Sequence, residues 1–213
     1  MILQALADFD RRQRATPGEA PAPEGFSKEK ISFALVIGKD GRLLDAVDLR
    51  IPDEKSKKLV PGLRDVPQPV KRTSGVAANL FWDKTSYVLG LTAPDAKASE
   101  AERVKRAKRT AAEHAAFVEA HLKLLEDIED EALSAFRQFL QTWQPDAEHE
   151  VIARNPDLLD GNLVFSIESS SGWLHERPTV LALLAGRGGA EEEGALCLVS
   201  GETAPIARLH PSI

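Results

Sequence analysis

Ile31-Ser-Phe-Ala-Leu-Val-Ile37 is followed by Lys39-Asp40-Gly41 and then by Leu43-Leu-Asp-Ala-Val-Asp-Leu49. Two β-forming runs separated by an Asp-Gly turn spell a hairpin, because Asp-Gly tolerates the positive φ that tight turns need. The first run is almost wholly apolar, which predicts a central strand covered on both faces. The second alternates more, as a strand with one wetter face does.

Outward from this hairpin the pattern changes. Residues 51–85 are rich in Pro, Lys and Arg and hold no sustained period, with short extended pieces expected at Lys58–Val60 and Leu63–Val66. A long irregular connection in a compact domain is usually functional. Tyr87–Leu91 reads as a further strand. From about Ala96 to Glu126, Val104, Ala107, Ala111, Ala115, Val118, Leu122 and Leu125 recur at helical steps. A second helix runs from about Glu129 to Trp143, and Pro145 ends it. The two make an antiparallel helical hairpin over about 96–143. Strand-like runs return at Asn162–Ile167, Thr179–Leu184 and Ala195–Val199. Toward the N-terminus, residues 16–25 form a Pro/Gly loop, and residues 2 to about 13 an amphipathic helix with Ile2, Leu3, Leu6 and Phe9 on one stripe. The fold class predicted is α+β: a mixed or antiparallel sheet with a helical hairpin inserted between its strands.

Composition narrows the function classes. The 213 residues, 43% hydrophobic and 28% charged, suit a soluble globular chain. No apolar run approaches the ~20 residues of a membrane span, and no signal peptide opens the chain. The single Cys197 excludes an internal disulfide, fits a cytoplasmic setting, and reads as an inert buried thiol in an apolar strand. The five histidines include one pair on a shared helix, His114 and His121, whose spacing of seven does not let two imidazoles share a metal. Phosphate-loop, dinucleotide and nucleophile-elbow patterns are absent, and no acid–base set can be assembled. Neither enzyme chemistry, metal nor cofactor is expected.

The net charge of −6 argues mildly against nucleic acid, but its distribution does not. Between Lys55 and Lys84 seven cations face two acids, a local +5, and local potential steers a polyanion. Within that segment, Lys71-Arg72-Thr73-Ser74-Gly75 precedes Asn79, Phe81-Trp82-Asp83-Lys84 and Tyr87. Cations and hydroxyls suit phosphates, glycine allows close backbone approach, and an amide can pair with a base edge. A solvated basic loop is the plainer alternative. Phe81, Trp82 and Tyr87 read more naturally as core than as stacking residues, with Trp82 either buttressing the loop or stacking. Lys55, Lys57 and Lys58, and the helical cations Arg103 and Arg106, are further candidates for phosphate contact. A charged, solvated helix face accounts for the last two as readily.

The stretch from Pro67 to Gly90 resembles the N-terminal region of the large subunit of the type I-C CRISPR interference complex, Cascade. So do Met1-Ile-Leu-Gln-Ala-Leu6, Gly25-Phe-Ser-Lys-Glu-Lys-Ile-Ser-Phe-Ala-Leu-Val36, Asp40-Gly41, Val47-Asp-Leu49 and Ser200-Gly-Glu-Thr-Ala-Pro-Ile-Ala-Arg-Leu-His-Pro211. The helical middle and the tract around Glu191–Glu193 carry no part of the likeness. Members of the family are longer, so residues 1–213 are expected to be a single N-terminal domain of a longer subunit. The resemblance implies a non-catalytic protein that recognises the protospacer-adjacent motif in double-stranded target DNA and helps open the duplex. It implies as partners the crRNA 5′ handle, the backbone and crRNA-processing subunits, and a separate helicase–nuclease. A DNA-mimicking phage inhibitor would also find the basic loop attractive. Carried onto this sequence, the DNA-contacting set is Lys71, Arg72, Thr73, Ser74, Gly75, Asn79, Trp82 and Lys84. The competing expectation is a structural domain that anchors the handle and neighbouring subunits without reading the motif.

Overall fold

The computed structural model describes residues 2–15, 22–23, 25–72, 75–188, 194–197, 201 and 203–204. In chain order the strands are β1 (Phe26–Ile31), β2 (Phe33–Ile37), β3 (Leu43–Asp48), β4 (Ile51–Pro52), β5 (Leu59–Val60), β6 (Gly62–Pro67), β7 (Asp83–Lys84), β8 (Asn162–Ile167), β9 (Ala195–Leu196) and β10 (Thr203–Ala204). The helices are α1 (Ile2–Ala15), α2 (Thr85–Val88), α3 (Glu100–Leu124), α4 (Glu131–Thr142), α5 (Glu150–Arg154) and α6 (Pro178–Gly188), with 3-10 turns at Pro156–Asp160 and Leu174–Glu176.

The organising sheet has the order β3-β2-β8-β7. β2 and β3 form the expected antiparallel hairpin, and β2 lies at the centre, paired in parallel with β8 from Phe33 against Leu163 to Ile37 against Ile167. Period-2 alternation sends Phe33, Leu35, Ile37, Leu163 and Phe165 to one face, where Phe117 of α3 and Phe136 and Phe139 of α4 cover them. Ala34 and Val164 point to the other face and pack with Ile31, Leu49, Val66 and Trp82. That second face is roofed by the antiparallel ribbon of β1 and β6. The fold is thus α+β with a mixed sheet, and the helical hairpin of α3 and α4 falls between β7 and β8 in the chain.

Two local devices hold the frame. Ser99 caps α3 and exchanges hydrogen bonds with Glu102, which satisfies amides that a helix start leaves open. The hairpin turn places Gly41 at φ 75°, where a Cβ would stand 2.8 Å from the backbone nitrogen of Phe139. Only glycine lets that turn rest on α4.

Several expectations need correction. Tyr87–Leu91 is not a strand: Thr85–Val88 makes one helical turn with every residue buried. The Thr85 hydroxyl donates to the Leu158 carbonyl, and the Leu89 amide donates to Thr85. Thr179–Leu184 is also helical, within α6, which begins at Pro178, a residue suited to a first helical position. Its Thr179 hydroxyl donates to Asp130 at 2.8 Å. Both are short apolar runs, which periodicity alone cannot assign. Of the third run, Ala195–Leu196 is strand, as β9, Cys197 beyond it is partly exposed rather than buried, and residues 198–199 lie outside the described residues. β1, β4 and α5 lack clear patterning and were not anticipated. α1 forms as expected, yet Ile2, Leu3, Leu6 and Phe9 are all more than half exposed.

Candidate nucleic-acid interface

The connection from Pro67 to Lys84 leaves the end of β6 and returns to the sheet edge at β7, where Asp83 faces Leu163 and Lys84 faces Asn162. Its base is built around Asp83, whose carboxylate is 1% exposed. One oxygen accepts from the Arg72 guanidinium and from the Asn79 amide at 2.8 Å. The other accepts from the Lys84 amide at 2.8 Å. Burial pushes the Asp83 carboxyl above its ordinary range, and these donors pull against that shift.

Arg72 is turned inward. Its Nε donates to the Ala77 carbonyl at 2.6 Å, and its guanidinium lies 4.1 Å from the centre of the Tyr87 ring. The Asn79 side-chain oxygen accepts from the Val70 amide at 3.0 Å and so closes the loop across nine residues. The Trp82 indole donates to the Pro67 carbonyl at 2.7 Å and joins the core beneath the ribbon. Phe81 adopts φ 63°, in the left-handed region. Its amide donates to Nε2 of the fully buried His121 at 2.8 Å, and His121 Nδ1 contacts the Phe117 carbonyl at 2.7 Å. A carbonyl only accepts, so His121 holds its proton on Nδ1 and is neutral in this arrangement.

The anticipated DNA-contacting residues therefore divide. Arg72, Asn79 and Trp82 are part of the loop's internal frame. Lys71, Gly75 and Val76 are exposed at the tip, and Gly75 has φ 98° with nothing within 4 Å of where a Cβ would stand. Thr73 and Ser74 lie outside the described residues. Lys84 is exposed at the base. Lys55, Lys57 and Lys58 are exposed on the turn joining β4 to β5, with Lys57 at φ 59°. Arg103 is exposed on α3, and Arg106 pairs with Asp95 at 3.2 Å. No set of three or more metal-ligating residues comes together among the described residues.

Asp83, Tyr87 and His121 were not anticipated as parts of the site's frame. A lone acid amid cations was a usable signal for Asp83. His121, forty residues from Phe81, left none in the sequence.

The model of the CRISPR-associated protein family Cas_Csd1 matches residues 6–213, and the chain belongs to that family. Its role lies in CRISPR interference, with other Cascade components as partners. No curated protein matches the chain. Among the described residues, no helix is long and apolar enough to cross a membrane.

Proposed function

We propose that this chain is the DNA-recognition domain of a type I-C interference complex. The Pro67–Lys84 loop then reads the protospacer-adjacent motif in double-stranded target DNA and helps start duplex opening, without catalysis. The observation that carries this reading is the loop's construction. Its basic tip is exposed while its base is locked by Asp83, Arg72 and Asn79. A loop shaped before binding loses less conformational freedom when it docks.

In this reading Lys71 meets a phosphate or base edge, and Gly75 lets the backbone come close. Arg72, Asn79 and Trp82 position the loop. Lys55, Lys57, Lys58 and Arg103 supply phosphate contacts outside it. The domain works in the cytoplasm beside the crRNA 5′ handle, the backbone and crRNA-processing subunits and the helicase–nuclease. The same basic tip would accept an acidic inhibitor that mimics DNA.

The test is binding of the assembled complex to duplexes with and without the correct motif, comparing wild type with Lys71→Ala. Loss of motif preference with assembly intact is the expected result. Unchanged preference would remove reading from this loop and leave a scaffold that anchors the handle and neighbouring subunits.

A further inference from the structure

His114 and His121 stand seven residues apart on α3, close to two full helical turns or about 10.5 Å, so both rings leave the helix on nearly the same side. That spacing cannot close on one metal ion, but it suits two separate points on a neighbouring segment. Each ring takes one. The His121 Nε2 accepts from the Phe81 amide at 2.8 Å. The His114 Nδ1 meets the Tyr87 carbonyl at 2.9 Å, and because a carbonyl only accepts, His114 donates there. One imidazole accepts and the other donates, so the stretch from Phe81 to Tyr87 is pinned at both ends. Both seats are tight. His121 is fully buried, its ring 5.3, 4.1 and 5.4 Å from those of Phe81, Phe117 and Phe136. His114 is half-buried and reaches Tyr87 past Gly90, where a Cβ would stand 3.1 Å from the His114 Cγ. The pinned stretch carries the anchors of the loop's base. Trp82 donates to the Pro67 carbonyl, Asp83 accepts from Arg72 and Asn79, and the Tyr87 ring lies against the Arg72 guanidinium.

We propose that His114 and His121 are positioning residues for motif reading, a two-point clamp through which α3 fixes the base of the Pro67–Lys84 loop. The proposal rests on the reading of that loop as the motif reader and assigns what holds it in place. Neither histidine touches DNA; both act through the backbone of Phe81–Tyr87. Phe81 shows why a clamp is needed. At φ 63° it occupies a region that side-chain-bearing residues rarely adopt, and such a conformation persists only where its surroundings enforce it. The His121 acceptor is aimed at that amide from another element, and its own Nδ1 is fixed on the Phe117 carbonyl at 2.7 Å. The helical hairpin therefore sets the direction in which the chain passes from the loop into the sheet edge at β7. A histidine pair whose spacing fails for a metal thus has a use: it reads backbone rather than an ion.

The experiment compares wild type with His121→Leu and His114→Leu, which remove the hydrogen bonds, and with His121→Gln and His114→Asn, which keep an acceptor and a donor in turn. Assembled complexes are read in two ways. Hydrogen exchange follows the loop amides, with β2 and β8 as internal reference, and binding compares duplexes with and without the correct motif. His121→Leu leaves a buried amide unpaired, so the loop amides should exchange about tenfold faster while β2 and β8 stay unchanged, and motif preference should fall about tenfold. His114→Leu should act in the same direction and less strongly, its site being half-buried. The glutamine and asparagine variants should keep both readouts near wild type. Loop exchange unchanged in both leucine variants would overturn the clamp. So would exchange that rises equally in β2 and β8, or conservative variants that fare no better than leucine, since packing alone would then account for the effect. Motif preference retained over a loosened loop would overturn the positioning role. A loop that loosens as expected in complexes where even wild type shows no motif preference would sustain the clamp and sink the loop reading.

Discussion

Asp83 shows how a basic loop acquires a shape. Cations alone would repel one another and leave the connection solvated. One carboxylate placed beneath them draws Arg72 inward and takes the amides of Asn79 and Lys84 with it. Asp83→Ala would strand a guanidinium that is only 24% exposed, together with two amides. Breaking a buried pair from one side costs about 3–5 kcal/mol, and the partial exposure of Arg72 favours the lower end. A urea titration should show a loss of about 3 kcal/mol at unchanged m-value. This also explains why the site was only half legible in the sequence. Side-chain type identified a basic, hydroxyl-bearing segment near aromatic residues. Whether Arg72 points out or in depends on Asp83 lying beneath it, and on the Tyr87 ring, whose turn was expected to be a strand.

At the scale of elements, His175 joins the β1–β6 ribbon to the short turn at Leu174–Glu176. Its Nε2 donates to the Asp65 carbonyl at 3.1 Å, and its ring stands 6.3 Å from that of Phe26. Nδ1 is buried with no partner among the described residues. Burial holds the imidazole below its ordinary pKa of 6.5. The unfolded chain therefore takes up the proton first as pH falls, so stability is full above about pH 6.5 and declines below it. Urea midpoints from pH 7.5 to 5 should fall for wild type below about pH 6.5 and fall less for His175→Asn. The elements most legible in the sequence were those with long or strict patterning: the β2–β3 hairpin, α3, α4 and β8. Runs of five or six apolar residues at 87–91 and 179–184 were misread. In a run this short and this uniformly apolar, a period of 2 cannot be told from one of 3.6. β1, with Ser27, Lys28, Glu29 and Lys30 in its middle, is held by pairing with β6 rather than by an apolar stripe.

For the whole molecule, charge is divided against itself. The chain carries −6 overall, yet the β4–β5 turn, the loop tip and the outer half of α3 present cations to solvent. Alone, the protein should therefore bind duplex DNA no more tightly than ordinary non-specific binding, about 10⁻⁴–10⁻⁶ M at physiological salt. Anisotropy on the isolated chain, repeated on the assembled complex, should show affinity rising with assembly, because several subunits then share the phosphate contacts. The parallel register of β2 with β8 has a different kind of consequence. Phe33 cannot meet Leu163 until some 130 further residues have been synthesised, nor can Asp83 take its place on the sheet edge until some 80 have followed it. The loop's base is thus completed late on the ribosome. A nascent chain carries the basic segment well before it carries the scaffold that shapes it, so the capacity to grip a target appears only as this part of the chain finishes folding.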